Sequence, residues 1–281
     1  MGNDRPRRNF GNSGGRNWDR GRDRGRGGRP PQRDRPYRQQ RDRPRQFDRH
    51  PGLTMSPGKN VEPLGPNMFK VREGTRVRPA TKNLIPGSRV YDERLIKHGD
   101  DELRVWDPFR SKFSAAILKG CASLPFKRDS RVLYLGAASG TTISHISDIV
   151  TRGVVYAVEF APRSMRDLFR LAERRPNIVP ILADARKPAR YSDLVGPVDV
   201  VYQDVAQPDQ ADISVANVRA FMPEGTLVLM IKARSIDVSQ QPSKIFAEQM
   251  GILKRSGLAI AETRHLMPFE KDHAAVIARV S

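Results

Sequence analysis

Four charged side chains stand where apolar segments of the chain end. These residues are Glu159, Asp184, Asp204 and Lys232. In open α/β sheets the carboxyl ends of parallel strands meet at one edge, and ligands bind there. A single charged residue closing a strand is often only solvated at a loop. Four of them on one predicted edge favour a shared binding or catalytic site.

A turn of small residues precedes the first of these acids. The apolar run VLYLG leads into GAASGTT, which predicts a strand, a tight turn at 137–140 and a helix that opens at Thr141. A second apolar run, 154–158, ends in Glu159. This order is typical of a nucleotide-binding βαβ unit, in which small residues let the backbone approach the ligand and the acid accepts hydrogen bonds from ribose hydroxyls. The spacing differs from GxGxxG, which argues against a dinucleotide.

Lys232 is unusual because it comes directly after the apolar residues LVLMI. A lone buried ammonium group is costly, so this lysine must be paired or poised near a lid. Asp204 is its natural partner. Asp184 has the position expected for a contact with a donor amine such as that of adenine, although a plain strand-end acid is the alternative. His145 is expected to be structural, and we expect no metal site.

The charge of the chain points to a polyanionic partner. The 281 residues carry a net charge of +19, and residues 1–50 contain 16 Arg and 6 Asp but neither Lys nor Glu. Such a basic excess favours nucleic acid. A membrane surface is the competitor, but no apolar run approaches the length that spans a bilayer. The one cysteine excludes an intramolecular disulfide.

The composition divides the chain into three predicted parts. Residues 1–52 have almost no aliphatic side chain to bury and are predicted to be a disordered Arg/Gly-rich tail. Aromatic residues among its arginines suit stacking on bases, although a solubilising tail is the alternative. Residues 53–105 are predicted to form a small β-rich domain. Its short alternating segments are Phe69–Val71, Thr75–Arg78, Leu84 and Val90–Tyr91.

Residues 106–281 are predicted to form an α/β domain. Strands are expected near 131–136, 154–159, 178–182, 198–204, 226–232, 258–265 and 274–280, with helices near 111–120, 141–150, 163–174, 209–221 and 241–255. Alternation of this kind predicts a mostly parallel seven-stranded sheet with helices on both faces. The last two strands have no helix between them and should pair antiparallel. This is the layout of class I (Rossmann-like) S-adenosylmethionine-dependent methyltransferases.

The chain resembles the fibrillarin family of RNA-guided ribose 2′-O-methyltransferases. The resemblance extends over roughly residues 55–281, in order and at the family's spacing. It is carried by WDPFRSKFSAAIL, VLYLGAASGTTISHISDIV, VYAVEFAPRS, DVAQPDQ, IKARSID and EKDHAAV. The catalytic part looks archaeal, whereas the tail resembles the glycine-arginine-rich extension of eukaryotic members but contains more Asp and Pro.

The resemblance implies a site, residue by residue. The family's Lys-Asp-Lys-His catalytic set falls on Lys112, Asp204, Lys232 and His273. A related bacterial group carries Glu at the last of these positions. The residues expected to bind S-adenosylmethionine are Gly136, Ala137, Thr141, Thr142, Glu159, Phe160, Asp184, Ala185, Asp204, Val205, Ala206 and Gln207. Lys232 is expected to steer or deprotonate the 2′-hydroxyl, with Asp204 positioning the methyl donor.

The resemblance also implies partners and a location. The enzyme would methylate rRNA, with tRNA as a further candidate substrate, as the catalytic subunit of a box C/D ribonucleoprotein. A guide RNA would select the target, and a Nop5/Nop56/Nop58-like scaffold and an L7Ae-like RNA-binding protein would hold the complex. The location would be cytoplasmic in an archaeon and nucleolar in a eukaryote.

Three alternatives remain open. The first is a non-catalytic RNA-binding scaffold, against which the intact Lys112, Asp204, Lys232 and His273 argue. The second is a methyltransferase that acts on protein side chains such as glutamine. The third is a Rossmann dehydrogenase, which the glycine spacing disfavours.

Overall fold

An antiparallel sheet opens the part of the chain that the computed structural model describes, residues 61–280. Its five strands follow the order β1-β2-β3-β5-β4. They are β1 (Val61–Gly65), β2 (Met68–Glu73), β3 (Arg76–Lys82), β4 (Leu95–His98) and β5 (Asp101–Val105). One face buries a small core that includes Val71, Ile96 and Leu103. The tail predicted at 1–52 lies outside the described residues.

Two of the predicted strand segments in this region are wrong. Leu84 and Val90–Tyr91 lie in an irregular connection between β3 and β4. Carboxylates take the place of a neighbouring strand here: the Leu84 amide donates to Asp148 Oδ1 at 3.0 Å, and the Tyr91 amide donates to Glu93 Oε2 at 2.8 Å. Because side chains satisfy these backbone groups, the segment needs no strand pairing.

A seven-stranded sheet follows, with the order β11-β12-β10-β9-β6-β7-β8. The strands are β6 (Arg131–Leu135), β7 (Val154–Glu159), β8 (Ile178–Leu182), β9 (Val200–Gln203), β10 (Gly225–Lys232), β11 (Ala259–His265) and β12 (His273–Val280). Strands β6 to β10 pair in parallel, and β12 pairs antiparallel with both β10 and β11. The predicted α/β architecture and its antiparallel end are confirmed.

Helices cover both faces of this sheet. They are α1 (Lys112–Leu118), α2 (Thr141–Ile149), α3 (Pro162–Ala172), α4 (Gln210–Phe221), α5 (Ala233–Ile236) and α6 (Pro242–Arg255). Alternate residues of β6 enter different cores: Val132 and Tyr134 pack on one side, and Leu133 and Leu135 on the other. This burial on both faces explains why β6 is apolar from Val132 onward. Within residues 61–280 no helix is long and apolar enough to cross a membrane.

A buried cluster of charges fastens the antiparallel sheet to α2. Asp148 of α2 accepts hydrogen bonds from Thr81 Oγ1 at 2.7 Å, from Arg104 Nη1 at 2.8 Å and from Arg175 Nη1 at 2.7 Å. Arg104, which is fully buried, also pairs with Glu93 at 2.6 Å.

The boundary predicted at 105/106 coincides with the end of β5. The division into domains itself stays a prediction.

Candidate active site

The predicted site residues collect around one gap in the parallel sheet. Strands β6 and β9 are neighbours, but the chain leaves β6 toward β7 and leaves β9 toward β10, on the opposite side. Such a reversal opens a crevice beyond the carboxyl ends of the two strands. Gly136 follows β6 and Asp204 follows β9, and the Asp204 amide donates to Leu135 O at 3.0 Å. Gly136 and Asp204 therefore form the base of this crevice.

The turn after β6 requires glycine at two positions, because of its left-handed backbone and because a side chain would clash with neighbouring atoms. Gly136 has φ +82°, and a Cβ at this position would lie 2.9 Å from the carbonyl oxygen of Asp204. Gly140 has φ +103°, and a Cβ there would overlap the side chain of Leu171. Ala138, at φ +47°, is a third left-handed residue in this turn. The backbone thus lies open at the crevice, as a ligand that must approach it closely requires.

Glu159 holds this turn in place from the end of β7. It is 7% exposed, and its two carboxylate oxygens accept the amides of Ala138 and Ala161, each at 2.8 Å. An ionised carboxylate offers about four acceptor positions, so two hydrogen bonds leave capacity for hydroxyl groups. The same residue can therefore shape the turn and bind the ligand.

The remaining predicted cofactor residues lie beyond β7, β8 and β9. Phe160 is 65% exposed, and Ala185 is buried. Asp184 pairs with Arg186 Nη2 at 2.7 Å, and this hydrogen-bonded partner lowers the pKa of Asp184 below its usual value. After β9, Val205 and Gln207 are half-buried and Ala206 is exposed. The contact of Asp184 with an adenine amine stays a prediction.

The opening of α2 is tied to the helix that carries Lys112, the first lysine of the predicted catalytic set. Thr141 is half-buried and Ala137 is buried in the turn. The Thr142 hydroxyl is buried and donates to Ser111 Oγ at 3.0 Å. Ser111 is the N-cap of α1 and immediately precedes Lys112. The position of Lys112 is therefore coupled to the glycine turn.

Asp204 brings two lysines together. Lys112 Nζ lies 3.3 Å from its carboxylate, and Lys232 Nζ lies 2.9 Å from its Oδ1. Lys232 Nζ also donates to the carbonyl oxygen of Asp204 at 2.9 Å. The predicted pairing of Asp204 with Lys232 is present in the structure. All three side chains are mostly buried, with 14–17% exposed, so their charges interact in a medium that screens poorly.

Oδ1 of Asp204 is a hydrogen-bond acceptor that can still take a donor. It is buried and makes no well-aligned hydrogen bond to any described residue, because the close Lys232 ammonium approaches at an unfavourable angle. Buried acceptors are normally satisfied, and an exception at a site calls for a ligand or water. This oxygen lies 2.9 Å from the Lys232 ammonium and 3.3 Å from that of Lys112, and it could still accept a well-aligned hydrogen bond from a ligand donor.

His273 completes the set from the first residue of β12. It pairs in register with Lys232, and its Nδ1 lies 2.6 Å from the carbonyl oxygen of Lys271. Because a carbonyl only accepts, Nδ1 must carry the proton, which leaves Nε2 of the neutral ring as an acceptor. Burial lowers the pKa of His273 below its ordinary value, so the neutral ring prevails near pH 7.

Two residues that position Lys232 and His273 were not among the site residues predicted from the sequence. Gln210, fully buried at the start of α4, accepts the Lys232 amide at 2.9 Å and donates to the Gln207 carbonyl at 2.8 Å. Arg234 pairs with Asp272 at 2.9 Å and so ties the chain after Lys232 to the residue before His273. The only sequence signal was their presence inside DVAQPDQ, IKARSID and EKDHAAV.

Comparisons with known proteins agree with this geometry. The fibrillarin family model matches residues 61–281. The fibrillarin-like rRNA/tRNA 2′-O-methyltransferase of Methanocaldococcus jannaschii is 48% identical over 219 residues, which is 77% of this chain and 95% of that protein.

Two solved structures of similar proteins contain a ligand or a partner. Aeropyrum pernix fibrillarin with natively bound S-adenosyl-L-methionine is 50% identical, with a TM-score of 0.70 over 75% of this chain and 94% of that one. A fibrillarin/Nop5p complex contains a chain that is 41% identical, with a TM-score of 0.67 over 72% of this chain and 94% of that one. The chain belongs to the fibrillarin family.

Proposed function

We propose that this protein transfers a methyl group from S-adenosylmethionine to a ribose 2′-hydroxyl of RNA. The observation that carries the proposal is the pair of lysines on Asp204, at 2.9 and 3.3 Å, beside the glycine turn of the crevice. The names of the similar proteins, an rRNA/tRNA 2′-O-methyltransferase and a fibrillarin with bound S-adenosyl-L-methionine, support the same activity.

The residues present fit this cofactor. The backbone at Gly136 leaves room that a side chain would fill, and Glu159 keeps acceptor capacity for ribose hydroxyls. The buried Oδ1 of Asp204 could accept a hydrogen bond from a donor group of the molecule. S-adenosylmethionine supplies a methyl group that is already activated by its sulfonium centre.

The chemistry left to the protein is to position the hydroxyl and remove its proton. A ribose hydroxyl is a poor nucleophile at neutral pH, so alignment of the attacking oxygen and a proton acceptor are the two requirements. Lys232 would steer the hydroxyl and, as the neutral amine, take its proton to become the ammonium while the oxygen–carbon bond forms and the carbon–sulfur bond breaks. Asp204 holds both lysines, and Nε2 of His273 offers a further acceptor at the same edge.

We further propose that the enzyme works within a box C/D ribonucleoprotein. A guide RNA would select the nucleotide, a Nop5-like scaffold would bind the chain, and an L7Ae-like protein would bind the RNA. The fibrillarin/Nop5p complex of a similar chain supports the scaffold. The net charge of +19 supports an RNA partner.

The test is radiolabelled methyl transfer to a target RNA, with the full chain alone and in the assembled guide complex. A matched RNA with a 2′-deoxy group at the target nucleotide is the control, and a glutamine-containing protein substrate is run in parallel. We expect label only in the complex, at one ribose, and none in the deoxy RNA. Tight cofactor binding without transfer to RNA would support the scaffold alternative, and label in the protein would support the side-chain alternative.

A further inference from the structure

An aromatic pair lies in the two segments of the chain that lead into Lys112 and His273. Phe109 and Phe269 contact each other edge to face, with ring centroids 5.3 Å apart and planes at 69°. Phe269 is partly buried against the main core, whereas Phe109 is 57% exposed. Phe269 thus anchors the pair in the core, and Phe109 presents its ring to solvent.

The pair is built from the same two segments as the catalytic set. Phe109 lies three residues before Lys112, and Phe269 lies four residues before His273. Lys112 is in contact with Asp204, which in turn contacts Lys232, the register partner of His273. Short stretches of chain therefore link the aromatic pair to the residues that would hold a substrate hydroxyl.

Local hydrogen bonds fix Phe109 before any substrate binds. Its amide donates to Asp107 Oδ1 at 3.0 Å, and the amide of Arg110 donates to the Asp107 carbonyl at 3.1 Å. Arg78 Nη1 holds the same Asp107 carboxylate at 2.9 Å. A turn braced in this way can present an exposed ring in one orientation, which lowers the entropic cost of binding a flat group.

Basic and acidic side chains both flank the pair, and the acids Asp107 and Asp272 are each paired with an arginine. Arg110 follows Phe109 directly, and Lys271 lies two residues after Phe269. Both of these cationic side chains are exposed. Aromatic rings interleaved with cationic side chains are the pattern that binds unpaired RNA, since the rings stack on bases while the cations contact phosphates. A protein partner would gain less from this mixture, because charged residues are depleted in the cores of protein interfaces.

We propose that Phe109, braced by Phe269, stacks on a base of the RNA at or next to the target nucleotide and so positions its ribose over Lys232. The proposal rests on the RNA methyltransferase function proposed above. Phe109 would be a substrate-positioning residue that takes no part in proton transfer.

The test uses the full chain in the guide complex, with the variants Phe109→Ala, Phe109→Leu and Phe109→Trp. Phe169→Ala is the matched control, because Phe169 is 50% exposed but lies on α3. We expect kcat/KM for RNA to fall about tenfold in Phe109→Ala and Phe109→Leu and to recover in Phe109→Trp. Affinity for S-adenosylmethionine should stay within twofold in every variant.

A second readout separates this proposal from the function on which it rests. RNA with 2-aminopurine at the target position is bound without turnover, in the presence of S-adenosylhomocysteine. Stacking on Phe109 predicts quenching that is lost in Phe109→Leu, whether or not the wild type methylates RNA. Unchanged quenching and unchanged kcat/KM in Phe109→Ala would overturn the proposal. Loss of scaffold binding in Phe109→Ala with quenching intact would instead assign the surface to a protein partner.

Discussion

Lys232 and His273 lie directly opposite each other in the antiparallel pair of β10 and β12. Cross-strand partners place their side chains on the same face of a sheet, so both residues reach the edge where Asp204 lies. A slip of one residue in this register would move His273 to the other face. Arg234 and Asp272 bridge the two segments at 2.9 Å just beyond this pair and oppose such a slip.

Replacing Lys232 by Met should abolish methyl transfer while leaving cofactor binding within a few fold. The substitution keeps the apolar stem but removes the amino group that contacts Asp204, so the 2′-hydroxyl loses the group proposed to steer it and take its proton. We expect transfer to fall at least about 100-fold. Radiolabelled transfer and calorimetric binding of S-adenosylmethionine measure the two effects. Lys254→Met, on the exposed side of α6, is the control, and retained activity in Lys232→Met would refute the assignment.

The glycine turn can be tested with two substitutions that share a backbone conformation. Gly136 and Gly120 have φ +82° and +83°, but only at Gly136 would a Cβ meet the Asp204 backbone, at 2.9 Å. Gly120→Ala should cost about 1–2 kcal/mol of conformational strain. Gly136→Ala should cost at least about 1 kcal/mol more and weaken cofactor binding, because Asp204 must move. Urea unfolding and cofactor titration check this, and equal losses of stability would contradict the steric argument.

The buried carboxylate of Asp148 should be a large contributor to stability. Asp148→Asn leaves Arg104 and Arg175 without the charge that both contact at 2.7–2.8 Å. Breaking such a buried pair typically costs about 3–5 kcal/mol. Asp167→Asn removes an exposed pair with Arg170 and should cost less than about 1 kcal/mol. Urea unfolding of both variants measures the difference in the free energy of unfolding. Similar small losses of stability in the two variants would show that the buried cluster adds little to the stability of the fold.

His145 should make the fold less stable in mild acid. It is fully buried, and its nitrogens contact the hydroxyls of Thr81 and Tyr91 at 2.8 and 2.6 Å. Burial, together with the positive charges of Arg104 and Arg175, lowers its pKa well below the ordinary 6.5. The unfolded chain therefore binds a proton below about pH 6.5 that the folded chain does not. The contribution of His145 to stability is constant above this pH and declines by up to about 1.4 kcal/mol per unit below it.

The measurement for His145 is the free energy of unfolding between pH 7.5 and 5.5. His145→Gln should flatten this profile, whatever its effect on stability at neutral pH. His265→Gln, which changes an exposed histidine outside this buried cluster, is the control. Parallel slopes in the wild type and His145→Gln would show that another group is responsible.

The sequence by itself determined which segments become strands of the parallel sheet and which charged residues close them. Apolar periodicity is a local property, so β6 with its turn, and Asp204 and Lys232 at strand ends, can be recognised from the order of residues alone. Motif resemblance predicted the catalytic set, and the roles of its members stay predictions.

Only the tertiary structure decided how these local pieces meet. Leu84 and Tyr91 have the pattern of strand residues, yet carboxylates satisfy their amides, one of them 64 residues away in the chain. The distances from Asp204 to Lys112 and Lys232 depend on the packing of α1 and on the pairing of β9 with β10, which no local pattern encodes. Gln210 and Arg234 became recognisable as positioning groups for the same reason: their partners are distant in sequence, and only packing brings them within hydrogen-bond distance.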